Sequence, residues 1–203
     1  LALEGLKHNV GGENMRGGLL CTFSSRRNEN ILQRLSKCRS DERYLEPLKD
    51  LRHHKLLLKK DISDFRLLYY SCIGKNSVKR FRYFIKWDHE ALVKTTVDGV
   101  PLLHAVIQLE DEESAKRSFK RCVKYSLPHC KQLLFLKDDK DKTAFEQATT
   151  KFGEKETMTM LREIIEENSA YPILHQMIVH APKYYNLCLR WFPHMFRLRD
   201  ENG

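Results

Sequence analysis

Apolar residues fall in short helical stripes along the chain, each cut by a charged or glycine-containing turn. Leu67 to Ile73 forms one stripe, and Gly74 stops it. Val78, Phe81, Phe84 and Ile85 recur at helical spacing and predict the next helix. Leu102, Leu103, Val106 and Ile107 repeat the pattern after Pro101, whose missing N–H suits the first turn of a helix. The charged run Glu110 to Glu113 breaks that helix. Lys116 to Tyr125 predicts another, with Phe119, Cys122 and Val123 on its apolar face. The chain therefore reads as all-α, built from helix–turn–helix units separated by short projecting loops or hairpins.

The stripes recur with a period. Pro101-Leu102-Leu103-His104-Ala105-Val106-Ile107 has the same shape as Pro172-Ile173-Leu174-His175-Gln176-Met177-Ile178, and Thr143 to Ala148 lies between them. Phe65-Arg66-Leu67-Leu68 and Glu29-Asn30-Ile31-Leu32 place paired aliphatics in the same columns. Unit starts then fall near 29, 65, 101, 143 and 172, a mean spacing of about 36 residues, and a period of that size marks a solenoid of stacked supersecondary units. A second column supports the register. His89 to Gly99, Leu133 to Asp141, Pro193 to Gly203 and, more loosely, His53 to Ser63 with Leu56 and Leu58 each read as a finger that ends two residues before the start of a unit. Asp98-Gly99 and Asn202-Gly203 are turn chemistry.

On these residues the chain resembles the ankyrin repeat family over roughly residues 27–203. The family consensus opens Gly-x-Thr-Pro-Leu-His-x-Ala. Gly99 to His104 keeps the Gly, the second Leu and the His, Thr143 to Ala148 keeps the Thr and the Ala, and no unit carries the whole Thr-Pro-Leu-His. Asp200-Glu201-Asn202-Gly203 resembles the fingertip opening a further, truncated repeat. Residues 1–26 stand apart as an irregular glycine-containing segment, in which Leu19 to Phe23 is either a short strand or the finger of an earlier unit. The resemblance implies an ankyrin-like helical repeat solenoid that serves as a scaffold or adaptor, monomeric, binding another protein on its concave face. Fingertip candidates are Thr95, Thr96 and Val97, then Lys137, Asp138 and Lys140, then Arg197 and Arg199; Gln108 and Gln176 add exposed first-helix positions. His104 and His175 occupy one column of two repeats, where the resemblance implies an architectural hydrogen bond to a neighbouring loop.

Composition adjusts this picture in two places. Hydrophobic residues make up 41% of the 203, mean hydropathy is −0.55, and no apolar run approaches a membrane span. Six cysteines lie at 21, 38, 72, 122, 130 and 188 without a Cys-x-x-Cys pair, which reads as reduced thiols of a cytoplasmic or nuclear protein. The net charge of +9 brings in a second reading. Arg26, Arg27, Arg34, Lys37, Arg39 and Arg43 form one basic cluster, Lys79, Arg80, Arg82 and Lys86 another, and Lys116, Arg117, Lys120, Arg121 and Lys124 a third. Basic outer helices of this kind suit nucleic acid or another anionic surface, the alternative to a protein partner.

Catalytic chemistry finds little purchase. His175 and His180 are five apart and lack the glutamate of a zinc helix, and Cys122, His129 and Cys130 have no fourth ligand at metal-like spacing. His53-His54 is an isolated pair. Gly11-Gly12 and Gly17-Gly18 lack the Lys-Ser or Lys-Thr of a phosphate loop, and no serine stands in a nucleophile elbow. The sequence predicts no enzyme, no cofactor and no metal.

Overall fold

The computed structural model describes residues 38, 40–74, 78–168, 179 and 182–193. The unit starts near 29 and 172, residues 1–26 and the last fingertip lie outside them. Ten α-helices, one two-stranded hairpin and two 3-10 turns make up the described elements, so the protein is all-α in class. It divides after Thr95 into two compact units.

In the first unit, α1 (Asp41–His53) starts at Ser40, whose hydroxyl accepts the Arg43 N–H at 3.4 Å; Asp41 and Glu42 then place negative charge at the positive end of the helix. Tyr44, Leu48 and Leu51 face inward. Pro47 sits inside this helix and leaves the Arg43 carbonyl without its helical donor. A tight turn leads to α2 (Lys59–Asp64), and the left-handed Arg66, φ 55°, separates it from α3 (Leu67–Ile73). Then come α4 (Val78–Trp87) and the single turn α5 (Ala91–Lys94). α1 packs on α4, α3 on α4, and α2 on both α3 and α5. Phe81, Phe84 and Ile85 are buried as their spacing predicts, each aromatic ring contributing roughly 1.5–3 kcal/mol.

The second unit opens with a hairpin, β1 (Thr96–Val97) against β2 (Val100–Pro101), with Val97 opposite Val100. Asp98 and Gly99 both hold positive φ, 55° and 83°, the paired left-handed turn that Asp-Gly favours. α6 (Leu102–Ile107) follows, buried on every side. α7 (Glu112–Ser126) is capped by Asp111, whose carboxylate accepts the Ser114 N–H at 2.9 Å, and it buries Ala115, Phe119, Cys122 and Val123. A 3-10 turn (Lys131–Phe135) leads to a second finger, where Lys137 pairs with Thr143 around Asp141, φ 59°. α8 (Ala144–Phe152) and α9 (Glu154–Asn168) meet at Gly153, whose φ of 84° turns the chain between them. α6 pairs with α7 and α8 with α9; α6 also lies against α8, and α7 against α9. Phe119 and Phe152 meet edge to face at 5.8 Å in that seam. A second 3-10 turn (Pro182–Tyr184) and α10 (Tyr185–Trp191) end the described chain.

Three details differ from the sequence reading. His53 to Ser63 is no finger. The left-handed Lys55, φ 57°, folds it into a tight turn, and Asp61 caps the start of α2 by accepting the Leu58 N–H at 2.6 Å. Leu57, not Leu58, therefore joins Leu56 in the core. Pro101 stands at the cap of α6 and not within its first turn. Arg80, read as part of an outer basic face, is only 3% exposed. It forms an ion pair with Asp41 at 2.7 Å, donates to the carbonyls of Cys38 and Ser40, and lies 4.4 Å from the Tyr44 ring centre. Burial there pushes the Tyr44 phenol far above its ordinary value, against the pull of Arg80.

Candidate binding surface

The second unit carries two fingers, the β1–β2 hairpin and the turn from Lys137 to Thr143. His104, third residue of α6, is completely buried, and its Nε2 donates to the Lys142 carbonyl at 2.9 Å. That bond fixes the imidazole as the Nε2–H tautomer, because a carbonyl only accepts. It also pins the base of the second finger to the helix that follows the first. The architectural role that the resemblance implies for His104 is thus met by a specific bond.

The second finger is held from inside. Asp138 accepts the backbone N–H groups of Lys140 at 3.0 Å and Lys142 at 2.9 Å, and the Gln147 amide at 2.5 Å. Burial pulls the Asp138 carboxyl upward, but these donors and the nearby His104 outweigh it and hold the group below the ordinary carboxylate range. Below the finger, Thr143 and Glu146 form a reciprocal capping box. The Glu146 N–H donates to the Thr143 hydroxyl at 3.2 Å, and the Thr143 N–H to the Glu146 carboxylate at 2.8 Å. Glu146 also takes an ion pair from Lys183. Burial raises its pKa, yet Lys183 and Thr143 win and the net direction is downward.

Of the sequence candidates, Thr96, Lys137, Lys140 and Gln108 are exposed and Val97 is partly so. Lys137 spends its charge on Asp141 at 2.7 Å. Asp138 is half-buried and its carboxylate is engaged by the finger itself. Thr95 is a correction: it is fully buried at the end of α5, its N–H bonded to the Ala91 carbonyl at 2.9 Å, so its side chain is not offered to a partner. Gln176, Arg197 and Arg199 lie outside the described residues, as does His175.

Outer charges are also largely engaged. On α7, Lys120 pairs with Glu163 and Lys124 with Glu167 at 2.5 Å, both acids on α9, while Lys116 pairs with Glu112 at 2.9 Å. Three of the five cations of the third basic cluster are therefore paired with carboxylates. Lys151 of α8 reaches the Leu109 carbonyl at 2.5 Å in the loop after α6. Sequence reasoning missed Glu146, Lys151, Arg80 and Asp41 as tying residues. Thr143-x-x-Glu146 was the readable signal, a capping box written in the sequence. The remaining ties have a common arithmetic: the side-chain bonds between distant segments join residues 37 to 43 positions apart.

Chemically, the arrangement is one of support. Among the described residues no group of three or more His, Cys, Asp or Glu side chains is placed to hold a metal, and no helix is long and apolar enough to cross a membrane. No disulfide forms among the described cysteines, and burial pushes the Cys188 thiol up to about 11, away from reactivity. Compared with family models, with curated proteins and with solved structures, the chain finds no match, and its own geometry carries the functional reading.

Proposed function

We propose that the chain is an ankyrin-like repeat scaffold that binds another protein through its fingertips and the adjoining first-helix ends. The observation that supports this most is the spacing of the distant side-chain ties, 37 to 43 residues in each case. Bonds between segments about one period apart are what a stack of repeats would make, and a stack aligns its projecting turns along one edge. The exposed edge groups Thr96, Gln108, Lys137 and Lys140 then form a polar rim suited to an extended or flat partner, in which a few buried anchors carry most of the energy. The polyanion alternative loses much of its footing, because Arg80 is buried and Lys120 and Lys124 already face carboxylates.

Site-specific photocrosslinkers at Thr96 and Lys140, compared with one at Arg162 on the outer face of α9, test this reading. A saturable protein adduct is expected from the two finger positions and none from Arg162. An adduct dominated by nucleic acid, or an affinity falling roughly a thousandfold between 50 and 200 mM salt, overturns it.

A further inference from the structure

A run of exposed positive charge lies in the first unit, on the turn between α1 and α2. Residues 52–60 read Arg-His-His-Lys-Leu-Leu-Leu-Lys-Lys, without one acid. Arg52, His53, His54, Lys55, Lys59 and Lys60 are all exposed. None of the four fixed cations holds an ion pair among the described residues. Arg52 instead lies 4.7 Å above the Trp87 ring. Of the nearby acids, Asp61 is 1% exposed and turned inward to cap α2, Glu90 is paired with Lys94 at 2.5 Å, and Asp50 and Asp64 are exposed, so positive charge stays in excess over the turn.

The turn is built, and it carries an apolar tip. Leu56 and Leu57 are buried at 5% and 1%, and both their N–H groups bond to the Leu51 carbonyl, at 2.8 and 3.2 Å. This anchoring leaves Leu58 outside, 37% exposed between Lys55 and the Lys59–Lys60 pair. Val93, 47% exposed, sits on α5, which packs against α2. An exposed aliphatic flanked in sequence by cations complements one environment in particular, the interface of a bilayer that carries negative lipid. There the cations meet headgroup charge and the leucine enters the acyl boundary. Nucleic acid fits less well: an aliphatic tip gives bases nothing to stack on, and the Trp87 face is covered by Arg52.

From this we infer that the α1–α2 turn is a second interaction surface, a peripheral docking point for anionic membranes. Each basic residue near such a surface contributes about a fivefold change in partition.

The test is vesicle cosedimentation of the full chain. One vesicle population is phosphatidylcholine alone, and the other contains about 30 mol% phosphatidylserine, enough for a strongly negative surface. Binding is expected to the second population only. The triple variant Lys55→Gln, Lys59→Gln, Lys60→Gln is expected to lose roughly a hundredfold. Leu58→Ser, which keeps every charge and guards against a folding artefact, is expected to lose about fivefold on vesicles and nothing on a single-stranded oligonucleotide. Lys140→Gln on the finger is the control and should bind as wild type. Equal binding to neutral vesicles, retention by the triple variant, or oligonucleotide binding that replaces vesicle binding overturns the inference.

Discussion

α6 and α8 begin alike and are finished differently. Both follow a finger, both bury their first two residues, and both use the third helical residue to reach forward, by 38 and 37 positions: His104 to Lys142, Glu146 to Lys183. At α8 the cap is complete, because Thr143 and Glu146 satisfy each other locally before Glu146 reaches out. At α6 the cap position is Pro101, which has no side chain to offer, and the His104 Nδ1 is left buried without a partner. One helix start is secured by its own sequence and the other by its neighbour. The lesson is that two helix starts perform one task, linking to a later segment, while the chemistry performing it changes from an imidazole donor to a carboxylate acceptor.

That contrast can be broken at its core first. Phe145→Ala empties the buried ring beneath the second start, where it meets Tyr184 at 4.8 Å, and is expected to cost about 3–5 kcal/mol in denaturant unfolding. His104→Ala comes next, at about 2–3 kcal/mol, because it removes buried volume and strands the Lys142 carbonyl. Glu146→Ala removes a cap and should cost only about 1 kcal/mol, so a measured order of Glu146 above His104 refutes the division between local and neighbour-supplied support.

Acid sharpens the same contrast. The Glu146 carboxyl is held below its ordinary 4.5 in the folded protein. Its contribution is therefore complete above that value and drains away as pH falls through the lower, folded one. Amide protection at Thr143 and Glu146, with intrinsic exchange divided out, should fall on acidification below about pH 4.5, and Glu146→Gln should flatten that response. The smallest effect is a gain. Pro101→Thr places a hydroxyl three residues before His104, copying the Thr143–Glu146 spacing. The cap is worth about 1 kcal/mol and the lost proline stiffness about half of that, so a net stabilisation of about 0.5 kcal/mol is expected in thermal melts.

Local signals in the sequence carried far. The stripes at Val78–Ile85 and Phe119–Val123, the stop at Gly74 and the Asp98-Gly99 turn are all where spacing and turn chemistry place them, since each depends on residues within a few positions. Leu58 was misread because alternation alone cannot see the left-handed Lys55 that rotates the next residues by one. Arg80 was read as an outer cation for a similar reason: its partners Asp41, Cys38 and Ser40 lie a whole period upstream, beyond any helical window. Thr95 fails as a fingertip because the finger begins one residue later, leaving it to close α5. Partner choice was not legible at all, since exposed groups such as Lys140 are shaped by whatever they meet and not by the fold.

Mechanical behaviour follows from the reach of the His104–Lys142 and Lys151–Leu109 bonds, both of which stop at the adjoining helix pair. Stretched by its ends, the segment from Leu102 to Asn168 is expected to yield first at the bonds between its two helix pairs, Lys120–Glu163 and Lys124–Glu167 among them. It should lengthen pair by pair and recoil in the same steps, as a spring does.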